Sequence, residues 1–566
     1  MHWLKRTDSG PVWPFVLLLL LTLPKAQAHE PVYAPKAMVV AQEPLATDVG
    51  VTVLRSGGNA VDAAVAVGFA LAVTHPFAGN IGGGGFMLIR MADGRTTFID
   101  FREKAPLLAS HDMYLDARGS PTRDSLVGWR APGVPGTARG LALAHQKYGR
   151  KTWAKLLEPA IELARKGFPV SRWQAESWKR SGSLLSQFPE SNRIFLRDGV
   201  YYGWQETFRQ PELAQTLERI ARRGAGDFYE GETARLLAQA MKDHGGLITL
   251  ADLHDYQAVE RAPLEGEYRG YHIITSPPPS SGGVGLLEML GMLNGTGYEK
   301  SGAGSAKTYH YLAEVMRRYY ADRSVYLGDP DFVNNRIASL LDPGYIVSRR
   351  ASIDPEHATP SNGLNAGLPS ANEGTDTTHY DVVDQQGNVV AVTYTLNGGY
   401  GSGVTVPGAG FLLNNEMDDF AAKPGSPNQF GLVQGERNSI APGKRPLSSM
   451  TPTIILKDQK PFLVLGAPGG STIISAVLEV IVNVIDFHMN VEDAVDFPRI
   501  HHQWKPDRLD FEQGVSPDTI RELKHMGYDL EESHPAVLAR VEAIEMSDGH
   551  LEGGHDQRGP GKAAGY

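Results

Sequence analysis

The residues with chemistry in reach are hydroxyls, two glycines and one charged set. Thr377 follows a stretch of Ser, Asn, Gly and Pro at residues 360–374, the composition of an exposed loop, and heads an alternating run over residues 377–384. Gln385-Gln386-Gly387-Asn388 reads as a turn and residues 389–396 alternate again, so a hairpin is expected. Pairing Asp384 with Val389 sets Thr377 opposite Leu396, beside Thr395 and Asn397. A hydroxyl so placed acts as a nucleophile once a base takes its proton. Threonine is also an ordinary strand residue, and taken alone the pattern favours that plainer role.

Gly469 and Gly470 lie between a strand and a helix start, where backbone N–H groups can face an oxyanion or simply make a turn. Arg102 in isolation reads as surface charge, and residues 414–419 read as a turn. His501-His502 lacks acidic residues at ligand spacing, so packing around a buried Trp504 is the better account than a metal. Residues 82–85, four glycines, lack the spacing and the Lys of a phosphate loop, which leaves close backbone packing. No Gly-x-Ser-x-Gly elbow is present. The chain has no cysteine, which removes disulfides and thiolate chemistry. No cofactor and no metal are expected.

The elements that must position these groups are regular. A helix capped by Thr47 and Asp48 should end at Gly57-Gly58, and one capped by Asn59 should run from Ala60 towards Thr74, buried on all sides because its residues are small. A hairpin follows at residues 86–91 and 96–101. Helical periodicity recurs at 153–166, 213–223 and 232–243, although no chemistry stands out anywhere between about 140 and 340. Residues 276–283 open a further apolar helix, as a rigid entry loop or as part of a binding site. A second hairpin covers 453–456 and 462–465, and a long apolar helix follows Gly470 as far as Ile485.

At 566 residues the chain can bury a large core, and a net charge of −10 argues against a nucleic-acid partner. The N-terminus has Lys5-Arg6, an apolar run around residues 15–23 and Ala26-Gln27-Ala28, which reads as a secretory signal over residues 1–28, cleaved after Ala28. The run is too short to span a bilayer, and no later segment is apolar enough, so no membrane association is expected after signal removal.

Six segments carry a family resemblance. They are Asp376-Thr377-Thr378-His379-Tyr380-Asp381-Val382-Val383-Asp384, Phe101-Arg102-Glu103-Lys104-Ala105-Pro106, Thr393-Tyr394-Thr395-Leu396-Asn397, Leu413-Asn414-Asn415-Glu416-Met417-Asp418-Asp419-Phe420, Arg445-Pro446-Leu447-Ser448-Ser449-Met450 and Pro468-Gly469-Gly470-Ser471. In its order along nearly the whole mature chain, this set resembles the bacterial gamma-glutamyltranspeptidases (glutathione hydrolases) of the N-terminal nucleophile hydrolase superfamily. The resemblance implies an α+β fold, a four-layer αββα sandwich built from two chains after autoprocessing between Asp376 and Thr377. The large subunit would be residues 29–376 and the small one 377–566, together one domain and a heterodimer.

The resemblance further implies that Thr377 is the nucleophile, with its freed α-amino group, of ordinary pKa about 7.7 to 8, as base. Thr395 would position Thr377, with Thr378 a weaker candidate for support, and Gly469 and Gly470 would form the oxyanion hole. Arg102, Ser448 and Ser449 would hold the substrate carboxylate, while Asn397, Glu416 and Asp419 would hold its ammonium. Residues 424–431 resemble a lid, with Phe430 where a Tyr is frequent. Some bacterial relatives have Gln in place of Glu416. The implied partners are glutathione and other γ-glutamyl compounds, with amino acids or dipeptides as acceptors. Resemblance to bacterial members implies an exported, periplasmic enzyme. A cephalosporin (glutaryl) acylase of the same fold and a non-processing exported binding protein are the competing readings.

Overall fold

The computed structural model describes residues 29–364, 377–533, 537–547 and 549–566. The signal segment, most of the loop before the nucleophile, and Asp376 lie outside the described residues. Two seven-stranded sheets, antiparallel throughout, form the centre. In one, the strands run Lys562–Gly565, Met38–Ala41, Thr378–Val383, Val389–Thr395, Gly84–Arg90, Thr96–Asp100 and Val259–Arg261. In the other the order is Val32–Ala34, His550–His555, Glu542–Ser547, Lys460–Gly466, Thr453–Lys457, Tyr271–Thr275 and Leu264–Tyr268.

Alternation along the strands sends side chains to opposite faces and so builds two cores. Tyr380, Val382, Val390, Val392 and Tyr394 join the helices Pro44–Arg55 and Ala60–Thr74 in one. Val383, Val389 and Ala391 face the second sheet, in a core that continues through Ile454 and Val464 to the helices Gly282–Leu293, Ala306–Tyr326 and Thr472–Ile485. The layers are helix, sheet, sheet, helix, the four-layer αββα sandwich expected above.

All fifteen residues of Ala60–Thr74 are buried, and Asn59 and Asp62 close a capping box at its start. Small side chains let it lie against the sheet, where Tyr380 and Tyr394 donate to the carbonyls of Ala64 and Gly68, both at 2.9 Å. The preceding helix begins earlier than expected. Pro44 fixes the first turn, and Glu43, not Thr47 or Asp48, caps it by accepting from the Ala46 amide at 3.0 Å. Helices Trp153–Lys166 and Glu232–Asp243 match their periodic runs, and Pro211–Arg223 gains two residues at its start. The turn at Asp458 and Gln459, both at positive φ, joins the strands of the second hairpin.

The first hairpin corrects the expected register by one residue. Val383, not Asp384, pairs with Val389, and Thr378 pairs with Tyr394. Asp384 is consumed by the turn: its carboxylate accepts from the amides of Gln386 and Asn388 at 2.9 and 3.0 Å, and from the Ala60 amide at a helix start at 2.8 Å. Gly387 at φ +84° completes a three-residue loop. Thr377 is thereby brought into line with Thr395 instead of Leu396.

Candidate active site

The end of this hairpin opens into a cleft of about 290 Å³, including space open to solvent. Its walls carry Thr377, Thr395, Asn397, Arg102, Glu416, Asp419, Phe430, Ser448, Ser449 and Gly470. Of the residues the resemblance assigned, Gly469 only adjoins this wall, Thr378 is not in it, Asp376 lies outside the described residues, and the others line it.

Thr377 is buried, and the Thr395 hydroxyl donates to its Oγ1 at 3.4 Å. Thr395 is itself held by backbone groups: its Oγ1 accepts from the Asn397 amide at 2.8 Å, and its carbonyl accepts from Asn80 at 2.8 Å. Asn80 also binds the Gly83 amide at 2.9 Å. A side chain at Gly83 would place Cβ 2.0 Å from the Thr395 carbonyl oxygen, so the four-glycine run serves close backbone packing directly behind this residue. Asn397 adopts φ +75°, and its Nδ2 donates to the Asn415 carbonyl at 3.0 Å. Thr378 is not in the cleft wall, and its buried hydroxyl has no hydrogen-bond partner among the described residues.

Gly469 and Gly470 have φ of +143° and +55° and precede the helix Thr472–Ile485. Among the described residues neither amide has an acceptor in the protein. Two free N–H groups at a helix N-terminus form a ready site for negative charge.

The charged wall is closely coupled. Arg102, fully buried, bonds Glu416 through Nη1 and Asp419 through Nη2, and Glu103 lies 3.9 Å from Nη1. Its Nε donates to the Pro446 carbonyl at 3.2 Å. The family resemblance implied that Arg102 meets one end of a substrate and Glu416 and Asp419 the other; in the structure these groups touch. Burial opposes the Arg102 charge, but the carboxylates of Glu416, Asp419 and Glu103 outweigh it and hold the guanidinium above its usual range. Burial pushes Glu103 up to about 7 and Glu416 well above a normal carboxyl, with Arg102 opposing in both cases. Asp419 is raised too, again by burial against Arg102. Three acids around one cation leave an excess of negative charge unless protons are retained.

The turn Glu416–Asp419 is fixed from behind by Asn414, whose side chain accepts from the amides of Gly133 and Glu416 at 2.9 and 3.0 Å and donates to the carbonyls of Gly82 and Gly133. Asp418, adjacent to the wall, accepts from Ser125 Oγ and the Gln429 amide, both at 2.7 Å, and burial pushes it up to about 6. The segment expected to form a lid is tied down without a Tyr hydroxyl. Phe430 is buried against Gly470, and Asn428 donates to Asp419 at 3.3 Å.

Sequence reasoning passed over Glu103, Asp418, Asn428 and the middle third of the chain. Glu103 lies in the segment Phe101–Pro106, and its place directly after Arg102 was the available signal. His501 and His502 bond Ser475 Oγ and the Trp504 amide, with Trp504 buried as expected.

The sequence model of the gamma-glutamyltranspeptidase family matches residues 46–566. The chain belongs to the gamma-glutamyltranspeptidase family. It is 49% identical over 514 residues to the glutathione hydrolase proenzyme of Pseudomonas sp. (strain A14), covering 90% of this chain and 89% of that one. To the glutathione hydrolase proenzyme of Escherichia coli (strain K12) it is 49% identical over 531 residues, 93% of this chain and 91% of the other. The crystal structure of cephalosporin acylase from Bacillus halodurans superposes with a TM-score of 0.84 at 27% identity, over 97% of this gamma-glutamyltranspeptidase chain and 99% of that one. Its sandwich is the N-terminal nucleophile hydrolase fold.

Proposed function

We propose that this member of the family is an autoprocessing γ-glutamyltransferase and glutathione hydrolase. The observation that carries the reading is one cleft that holds a threonine hydroxyl, two free glycine amides at its edge and an Arg102–Asp419–Glu416 cluster. In processing, Thr377 Oγ1 attacks the Asp376 carbonyl carbon, the amide nitrogen leaves with the hydroxyl proton, and water hydrolyses the resulting ester. The products are a carboxylate at Asp376 and a free α-amine on Thr377. The name proenzyme, borne by relatives 49% identical to this chain, supports this step.

In turnover the α-amine takes the Thr377 hydroxyl proton as Oγ1 attacks the substrate γ-carbonyl. The oxyanion meets the amides of Gly469 and Gly470. Collapse expels the amine, which leaves with the proton held on the α-amino group, and a γ-glutamyl ester remains on Thr377. Water then releases glutamate, or an amino acid or dipeptide takes the acyl group. The α-carboxylate and α-ammonium of a glutamyl group complement the charged wall: the carboxylate bonds Arg102, Ser448 and Ser449 while the ammonium takes over Asp419, Glu416 and Asn397.

Likeness to the cephalosporin acylase supports a second reading, a glutaryl acylase. Asp419 and Glu416 would then face no ammonium, so the glutamyl reading accounts for more of the cleft. Among the described residues no helix is long and apolar enough to cross a membrane; the basic and apolar N-terminus with its Ala-x-Ala end supports export, and the bacterial relatives support the periplasm. The intact mass of the purified mature protein tests the core of the proposal. Two fragments meeting at Asp376 and Thr377, with release of glutamate from glutathione, are expected. A single unprocessed chain would mark a binding protein and overturn the enzyme reading.

A further inference from the structure

The helix Ala306–Tyr326 lies in the part of the chain where the sequence offered no chemistry, yet its last turns reach the back of the cleft wall. Tyr319 donates to the Ser281 carbonyl at 2.8 Å, and Tyr320 to the Ser471 carbonyl. Arg323, buried and absent from the cleft lining, donates through Nε to Ser281 Oγ at 2.9 Å and through Nη2 to Ser449 Oγ at 3.4 Å. Among the described residues its Nη1 has no hydrogen-bond partner. Ser281 in turn gives its amide and its hydroxyl to the Ser448 carbonyl, at 2.8 and 2.7 Å.

A guanidinium only donates, so Arg323 must occupy a lone pair of the Ser449 hydroxyl and leave its single hydrogen to go elsewhere. Among the described residues that hydrogen has no acceptor in the protein, and Ser449 lines the cleft. Ser448 follows the same pattern, its Oγ accepting from the Met450 amide at 3.1 Å. Both hydroxyls therefore present O–H donors on the cleft side, where an anion's oxygens would meet them. Arg323 adds positive charge behind that spot, on a wall where Glu103, Glu416 and Asp419 surround Arg102.

We propose that Arg323 is a positioning and specificity residue: from outside the cleft it fixes the Ser449 hydroxyl as a donor and so selects acyl groups that carry a free carboxylate at that end. The assignment rests on the γ-glutamyl reading. Its test uses the processed enzyme and three p-nitroanilides, the γ-glutamyl compound, its α-carboxamide, and the glutaryl analogue that keeps the carboxylate but lacks the ammonium. Arg323→Lys retains charge but loses the fork that reaches two serines at once. It should lower kcat/KM about tenfold on the γ-glutamyl and glutaryl compounds, mainly through KM, the scale of one hydrogen bond to a charged group, and leave the α-carboxamide unchanged. Ser449→Ala should give the same pattern, and Arg323→Lys added to it should cost no further discrimination, which keeps the assignment testable if substitution at 323 impairs folding. Equal losses on all three compounds, or none on the two carboxylates, would overturn the role of Arg323 alone. Wild-type enzyme inert towards all three would overturn the γ-glutamyl reading and this assignment with it.

Discussion

The ring of Phe430 lies against the backbone of Gly470, so closely that a Cβ on Gly470 would stand 2.6 Å from Phe430 Cδ1. The segment 424–431 and the Gly469–Gly470 turn thus pack as one unit. Gly470→Ala meets both this clash and a backbone at φ +55°, where a side chain costs about 1 to 2 kcal/mol. We expect kcat to fall at least tenfold or so with the fold retained by circular dichroism; full activity would remove Gly470 from the oxyanion site.

Thr377→Ala should leave one uncut, inactive chain, seen directly by mass. Cleavage of that variant at residue 376 would rule out the Thr377 hydroxyl as the attacking group.

Thr395→Val keeps the shape of a residue that donates to Thr377 and accepts from Asn397 while deleting both bonds. A loss of about 1 to 3 kcal/mol in transition-state stabilisation is expected, read as a roughly 5- to 150-fold drop in kcat/KM. An unchanged rate would show that the contact is incidental.

Arg102→Ala strips the cation from three buried carboxylates. Processing should continue, glutathione turnover should vanish, and stability should fall by about 3 to 5 kcal/mol in denaturant unfolding, because uncompensated buried charge is the costly outcome. Wild-type kinetics would exclude Arg102 from the substrate site.

Glu103 gives a pH test. Its carboxyl moves from an ordinary 4.5 up to about 7 on folding, driven by burial and opposed by Arg102. The folded state thus keeps a proton that the unfolded chain has lost, and stability contributed by the group falls as pH rises from 4.5 towards about 7. Glu103→Gln should flatten the decline of the urea midpoint across that window. A slope identical to wild type would mean that Glu103 does not hold the proton.

Much of the site was legible because the roles depend on residue types that recur in order: a threonine after a loose loop, paired glycines, an Arg and an acidic turn. The αββα layers followed from the family likeness, and the alternating runs and small-residue helix agreed with it. Register was misread because Asp384 looks like a strand residue, and only its four acceptor contacts in three dimensions show that it belongs to the turn. Arg323 was invisible for a similar reason. The helix Ala306–Tyr326 is buried on all sides from Leu312 to Ser324, which its many charged residues do not advertise in the sequence, and the partners of Arg323, Ser281 and Ser449, lie far away in the chain. The contact between Arg102 and Asp419 was likewise set by how distant loops converge.

The strand order has a consequence for what the proposed cut after residue 376 would do. Strands from before and after that point alternate across both sheets, meeting at five antiparallel seams, Lys562–Gly565 with Met38–Ala41, Met38–Ala41 with Thr378–Val383, Val389–Thr395 with Gly84–Arg90, Val32–Ala34 with His550–His555, and Thr453–Lys457 with Tyr271–Thr275. Neither fragment can leave without unzipping all five. Two polypeptides joined in this way should stay together when the folded protein is diluted, separate only by unfolding, and melt in a single step whose midpoint falls as protein concentration falls.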